Sequence, residues 1–263
     1  MEVGGRVVVV TGAASGIGAA LCRRFAAQRP AGVVVADLDL DGARRTASAV
    51  EALGAPALAV PVDVGSEDAV QAMVAAAADR FGPVDVLCQN AGIVRAGGAE
   101  VPDGDWADSW VVNVMAHVYG ARAVLPSMLR RGSGYLVHTC SAAGLLTSPG
   151  AAPYAVTKHA ALAFAEWLAV SHGDQGIRVS ALCPQGVNTP LLTGTGPGAW
   201  PVRASGRIME PDEVAEVVMA GMAEERFLLL PHTEVTEYAR RRAADPDRWL
   251  AGMRRLVAGV GPD

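Results

Sequence analysis

The 263-residue chain is 51% hydrophobic with a formal charge of −5. It is long enough to bury a substantial core and has no basic excess for a nucleic-acid backbone. The cysteines (Cys22, Cys88, Cys140, Cys183) are widely spaced, without C-x-x-C or a histidine cluster. That argues against a disulfide framework or a metal site and fits reduced thiols in the cytoplasm. No signal-peptide pattern opens the chain. Residues 132–157 lack Asp, Glu, Lys and Arg but hold too much Gly, Pro, Ser and Thr for a membrane helix, so no membrane contact is expected.

Val7–Val10 reads as a strand ending at Thr11, and Gly12-Ala-Ala-Ser15-Gly16-Ile17-Gly18 opens a helix reaching about Gln28. Strand, glycine-rich turn and helix start form the context of a dinucleotide site: Gly12 permits the turn, Gly16 lets backbone approach a pyrophosphate, and Gly18 lets the helix pack on the strand. The helix N-terminus offers N–H groups and a positive dipole end to phosphates. A second strand, Val33–Ala36, ends on Asp37, which can accept from both adenosine ribose hydroxyls and repels a 2′-phosphate. Ala13, Ala14, Ser15 and Leu38 provide no cation for such a phosphate, so NAD is favoured over NADP. Asp39 or Asp41 is better suited than Asp37 to capping the next helix.

A helix over about 41–53, strand Ala57–Pro61, a helix over about 67–81 and strand Val84–Cys88 follow. This alternation is the βαβ signature of a single-domain, doubly wound parallel sheet of about seven strands with helices on both faces, a Rossmann-like α/β fold. Asp63-Val64 and Asn90-Ala91-Gly92 fall at strand carboxyl ends, where such sheets bind ligands, although singly each is more readily turn chemistry than a ligand contact. Asp105–Arg130 is helical and apolar nearly all round, with Asn113 either a satisfied buried amide or a contact to the reaction centre. Tyr135–Thr139 is the fifth strand; strand alternation would point Cys140 and Ser141 opposite ways. The helix from Tyr154 to His172 is again apolar on more than one face, and two such helices suggest a subunit interface. Ile177–Leu182 is the sixth strand, and a Gly- and Pro-rich loop over about 185–207 follows. A helix then starts at Pro211, Phe227–Leu230 is the last strand, and a charged helical segment over about 233–258 closes a single domain, 1–263. There the Arg240–Arg242 run reads as a solvated helix face, and Tyr238 with Arg242 as an exposed pair.

Tyr154 and Lys158 lie one helical turn apart, with Ser141 upstream. Lys158 is the chain's single lysine among 22 Lys and Arg. Random placement would put it four residues after a tyrosine only about 1.5% of the time. A compact ammonium can donate to ribose hydroxyls close to a phenol, which a planar guanidinium cannot do at that spot. A phenol with a pKa near ~10 is a poor base at neutral pH. A neighbouring ammonium, helped by the positive nicotinamide ring, is expected to lower that value. Ser141 can then hold a substrate oxygen while Tyr154 takes or gives the proton.

From about Arg6 to Leu230 the chain resembles a short-chain dehydrogenase/reductase. It carries T-G-x-x-x-G-I-G, the acidic end of strand two, D-V, N-A-G, the helix asparagine, the serine, Y-x-x-x-K and P-x-x-V-x-T in order. The resemblance implies a catalytic tetrad of Asn113, Ser141, Tyr154 and Lys158, the asparagine holding a relay water. It implies cofactor contacts from Gly12, Ser15, Gly16, Ile17, Gly18, Asp37, Leu38, Asp63, Val64, Asn90, Ala91, Gly92, Tyr154, Lys158, Pro184, Gly186, Val187 and Thr189. Asp63-Val64 would meet adenine, and Val187 and Thr189 the nicotinamide carboxamide. A homotetramer or homodimer on the two apolar helices is implied as well. Gln89 replaces the first asparagine of N-N-A-G, Cys140-Ser141 a serine pair, and Pro184-Gln185-Gly186 displaces a glycine, which leaves that loop's path open.

Ala142, Ala143, Leu145, Leu146, Ile93, Val94, Leu191, Leu192 and Trp200 should surround the pocket. They call for a neutral, fairly hydrophobic secondary alcohol or ketone rather than a phosphorylated or CoA-linked substrate. Two other readings compete: an NADPH-dependent 3-oxoacyl-carrier reductase, opposed by Asp37, and a catalytically idle NAD-binding protein of the same fold, opposed by the intact tetrad.

Overall fold

The computed structural model describes residues 1–193 and 206–260. Its seven strands form one parallel sheet in the order β3-β2-β1-β4-β5-β6-β7. The strands are β1 Val7–Thr11, β2 Gly32–Asp37, β3 Ala57–Pro61, β4 Val86–Gln89, β5 Gly134–Thr139, β6 Ile177–Leu182 and β7 Leu228–Leu229. Strand order reverses between β1 and β4, which opens a crevice at their carboxyl ends. The predicted strands are all present, β4 starting two residues late and β7 confined to its middle pair.

Helices cover both faces, which is why strand interiors are apolar without alternation. Alternate residues nonetheless divide between layers. Val8, Val10, Val33 and Val35 pack with helices α1 (Gly16–Ala26), α2 (Leu40–Ala52) and, further along the chain, Pro211–Ala223. Val9, Val34 and Leu136 pack with α3 (Glu67–Phe81) and the later helices Ala116–Arg131 and Ala152–His172. Local chemistry fixes several starts: Asp39 caps α2 by accepting from Gly42 N, and Ser66 caps α3 by accepting from Ala69 N. The helix after Glu210 has a capping box with Glu213, and Pro211 opens it.

The segment predicted as one helix over 105–130 is three pieces: α4 (Asp103–Trp110), a π turn (Val111–Met115) and α5 (Ala116–Arg131). Periodicity cannot show this, because one widened turn leaves the same faces apolar. Next come α6 (Ala143–Leu146), α7 (Ala152–His172), α8 (Pro190–Thr193) and α9 (Pro211–Ala223). The C-terminal segment is two helices, α10 (Glu234–Ala244) and α11 (Pro246–Val260). All four cysteines are buried and free. No helix of the described residues is long and apolar enough to cross a membrane.

Candidate active site

The carboxyl ends of the central strands converge on one cavity of about 710 Å³. At its dinucleotide end, Gly12 and Gly16 sit at φ 64° and 53°, backbone that side chains rarely adopt. A Cβ on Gly12 would lie 2.8 Å from Ala91 Cα, and one on Gly18 would lie 2.2 Å from the Gly12 carbonyl oxygen. Glycine is therefore required by contact as well as by dihedral, and the backbone stays bare where a pyrophosphate would approach. Asp37 holds this rim: Oδ2 accepts from Ala14 N at 2.9 Å and Oδ1 from Asp39 N at 3.0 Å. Each oxygen keeps a second lone pair for a ribose hydroxyl.

Asn90 ties three strand ends together. Its Nδ2 donates to the Thr11 and Gly12 carbonyls, its Oδ1 accepts from Thr139 Oγ1, and its backbone N donates to Thr11 Oγ1. Asn113, in the π turn, is fully buried; Oδ1 accepts from Ile93 N, and Nδ2 donates to Ile93 O and Thr157 Oγ1. It braces the Gly92–Ile93 wall against α7. The geometry is that of a satisfied buried amide behind the cavity, not in it.

Tyr154 and Lys158 project from the first turns of α7. Lys158 Nζ is buried and donates to the Thr139 carbonyl at 2.8 Å, 5.6 Å from the centroid of the Tyr154 ring. Burial depresses the lysine pKa. Burial pushes Tyr154 the opposite way, up to about 12, while its hydrogen bond with Ser141 pulls it down. In the chain by itself, the expected lowering of the phenol by its lysine is thus absent; desolvation wins. Ser141 Oγ accepts from Ala143 N at 3.1 Å and reaches the Pro184 carbonyl at 3.4 Å. Cys140 and Ser141 both line the cavity, contrary to strand alternation, because β5 has already ended at Thr139.

The profile described as short chain dehydrogenase matches residues 6–199. The chain belongs to the short-chain dehydrogenase family. It is thus an oxidoreductase of CH–OH groups that works with a nicotinamide cofactor on a small-molecule substrate. It is 40% identical over 234 residues to 1-deoxy-11-beta-hydroxypentalenate dehydrogenase of Streptomyces exfoliatus, covering 87% of this chain and 84% of that protein. It is 35% identical to meso-2,3-butanediol dehydrogenase of Serratia marcescens, over 86% of this chain and 90% of that one. A crystal structure of a short-chain dehydrogenase/reductase from Burkholderia phymatum in complex with NAD superposes with a TM-score of 0.87 at 31% identity, covering 94% of this chain and 96% of that one.

Of the cofactor positions expected in this dehydrogenase, Gly18 and Gly186 do not line the cavity, whereas the others do. Gly18 acts one layer back, through helix–strand packing. The Pro184–Gly186 path left open by the sequence is settled by backbone bonds: Pro184 O accepts from Ala142 N, and Gly186 O from Met209 N. At the substrate end, Ile93, Val94, Ala142, Ala143, Leu146, Leu191 and Leu192 line the wall as expected. Leu145 does not; it packs against neighbouring apolar clusters and its carbonyl accepts from Arg242 Nη1 at 2.5 Å. Trp200 lies outside the described residues.

Sequence reading missed the roof. Tyr238, Trp249, Met253 and Leu256, from α10 and α11, line the same cavity. Tyr238 and Arg242 are no exposed pair: the tyrosine packs against Ala142, Leu146 and Val235, and the arginine clamps α10 to α6. Only Arg240 and Arg241 form the solvated face, both pairing with Glu237. The available signal was the apolar spacing Trp249, Met253, Leu256 along one helix face, which a reading of the segment by charge passes over.

Proposed function

We propose that this short-chain dehydrogenase interconverts a neutral, largely apolar secondary alcohol and its ketone with NAD(H), with Tyr154 as general acid–base. The carrying observation is the join at Tyr154 and Ser141 between two unlike ends of one cavity. One end has bare glycine backbone and acids; the other is apolar, and among its described residues neither arginine nor histidine lines it.

The residues divide the labour. Gly12, Ser15, Gly16 and Ile17 would hold the pyrophosphate, Asp37 the adenosine ribose, Asp63 and Val64 the adenine, and Val187 and Thr189 the carboxamide. Asp37 supports NAD over NADP, because a 2′-phosphate would meet a carboxylate there. When bound, the dinucleotide supplies the hydride acceptor, or in reduced form the donor. Ser141 holds the substrate oxygen. Tyr154 takes its proton in the oxidation and returns it in the reduction. Lys158 keeps one N–H on Thr139 O and has two left for the nicotinamide ribose and the phenolate. Asn113 completes the set from behind the wall, where its amide fixes Ile93 and Thr157.

Three coarser readings accompany this. We take residues 1–263 as one domain and the cytoplasm as its compartment. We also take the exposed apolar residues of α4 and α7 as the faces of a homotetramer or homodimer: Trp110 is 45% exposed, Trp167 57% and Val170 87%. A panel of secondary alcohols assayed for NADH formation, with NADP as the competing cofactor, tests the function. NAD-dependent turnover that Tyr154→Phe reduces by about 10²–10⁴-fold is expected. Undiminished turnover in that variant, or preference for NADP, refutes the assignment concerned.

A further inference from the structure

We propose that the apolar stripe of α11 is a ruler for the substrate's hydrocarbon body, so that the preferred secondary alcohol carries an apolar frame about 10 Å long. The proposal rests on the alcohol–ketone reading above and deepens it by naming the size of the substrate and the residues that measure it.

Helical spacing separates the charged and the apolar positions of α11. Trp249, Met253 and Leu256 stand at i, i+4 and i+7, one face over two turns, and all three line the cavity. Asp247, Arg248, Arg254 and Arg255 do not line it. At a rise of about 1.5 Å per residue, the stripe from Trp249 to Leu256 runs about 10 Å. Its near end is fixed. Trp249 packs against the cluster of Ala142, Leu146 and Val235, its ring 6.4 Å from that of Tyr238, and Ala142 directly follows Ser141 in the chain. Leu256, two turns further on, lies outside that cluster and is 39% exposed.

A helix face that served only to hold α11 on the body would be buried against it. Here Trp249 and Met253 are half-buried and Leu256 is exposed, although all three are cavity wall. Leu191 of α8 lines the same cavity and is likewise 41% exposed. Apolar surface left in water is a cost that a bound hydrocarbon removes, at about fourfold in affinity per buried methylene. A short alcohol held by Ser141 and Tyr154 leaves the Leu256 end in water, whereas a frame running along the helix covers it. No charged side chain interrupts the stripe, so the far end of that frame is hydrocarbon as well. The substrate class is therefore a secondary alcohol, or its ketone, on a long-chain or fused-ring apolar body.

A series of 2-alkanols from 2-butanol to 2-dodecanol, each below its solubility limit and assayed with NAD on the full chain, tests this. NADH binding is measured on every variant as a check on folding. kcat/KM is expected to rise about threefold to fourfold per added methylene, through KM, and to level off once the chain outruns the stripe. Leu256→Ala should cut the ratio of 2-decanol to 2-butanol about tenfold and leave that of 2-hexanol to 2-butanol within about twofold. Trp249→Ala, at the near end, should cut both ratios. Leu250→Ala, on the same helix but outside the cavity wall, should change neither. A series that is flat beyond 2-butanol, ratios that survive both wall substitutions, or a Leu256→Ala effect as large on 2-hexanol as on 2-decanol overturns the ruler and leaves the alcohol dehydrogenase standing. Absence of Tyr154-dependent turnover on every alcohol overturns both.

Discussion

Tyr154 and Lys158 carry opposite shifts from one cause, removal from water, and neither group is activated by the other in the chain alone. The positive ring of an oxidised nicotinamide would supply the charge expected to tip the balance. Phenolate absorbance, taken as the difference between wild type and Tyr154→Phe, should titrate near 12 without NAD and at least about one unit lower with it. Identical titrations with and without the cofactor would refute that coupling.

A second residue pair, outside the reaction, is expected to make stability fall with acid. His117 and His138 meet Nδ1 to Nδ1 at 2.8 Å, both buried, and each Nε2 lacks a partner. Burial lowers the His138 pKa to about 3. The unfolded chain binds a proton there below about 6.5, whereas the folded one does not, so stability is lost as pH falls from about 6.5 towards 3. The full loss from His138 is on the order of 5 kcal/mol. Urea midpoints should fall through that window. His138→Leu should cost about 1–3 kcal/mol at neutral pH by orphaning His117, yet lessen the acid slope, the rest of which comes from the buried His117.

Between elements, contact distance decides more than propensity. Alanine suits a helix better than glycine, but at position 18 its Cβ would meet the Gly12 carbonyl at 2.2 Å, and relief requires α1 to move off β1. Gly18→Ala is expected to cost about 1–3 kcal/mol in stability by overpacking and to weaken NADH binding, measured by fluorescence titration. The π turn is a second such case. Val111–Met115 widens the ladder where Asn113 must face Ile93 and Thr157 at once, and a regular helix would turn that amide elsewhere.

Across the molecule, sheet and roof come apart functionally. The dinucleotide end is built from the ends of β1 to β4 with the start of α7 and the turn after β6, whereas the far wall depends on α10 and α11, which hold to α6 through Val235 against Ala142 and Leu146 and through the Arg242 clamp. Removing residues 245–263 should leave NADH affinity within about threefold and raise KM for apolar alcohols about tenfold or more, as expected for lost uniform binding. A chain losing both properties together would show the helices to be structural instead. The exposed indole on α7 belongs to the same scale: Trp167→Glu should reduce the assembly's mass in light scattering if that face is an interface, because an unpaired charge is costly to bury.

Short-range constraints made much of this legible in the sequence. Apolar runs bounded by glycine and acid marked β1 and β2, and a lone lysine four residues after a tyrosine marked the first turns of α7. Each such feature is a condition on neighbouring backbone, so residues close in the chain express it. The π turn left no trace, since widening one turn does not change which residues are apolar. The burial that raises Tyr154, the meeting of His117 with His138, and the placing of Tyr238 and Trp249 on the wall of the cavity that Ser141 also lines depend on residues far apart in the chain. Desolvation and packing are properties of the closed cavity, and only the folded chain encloses it.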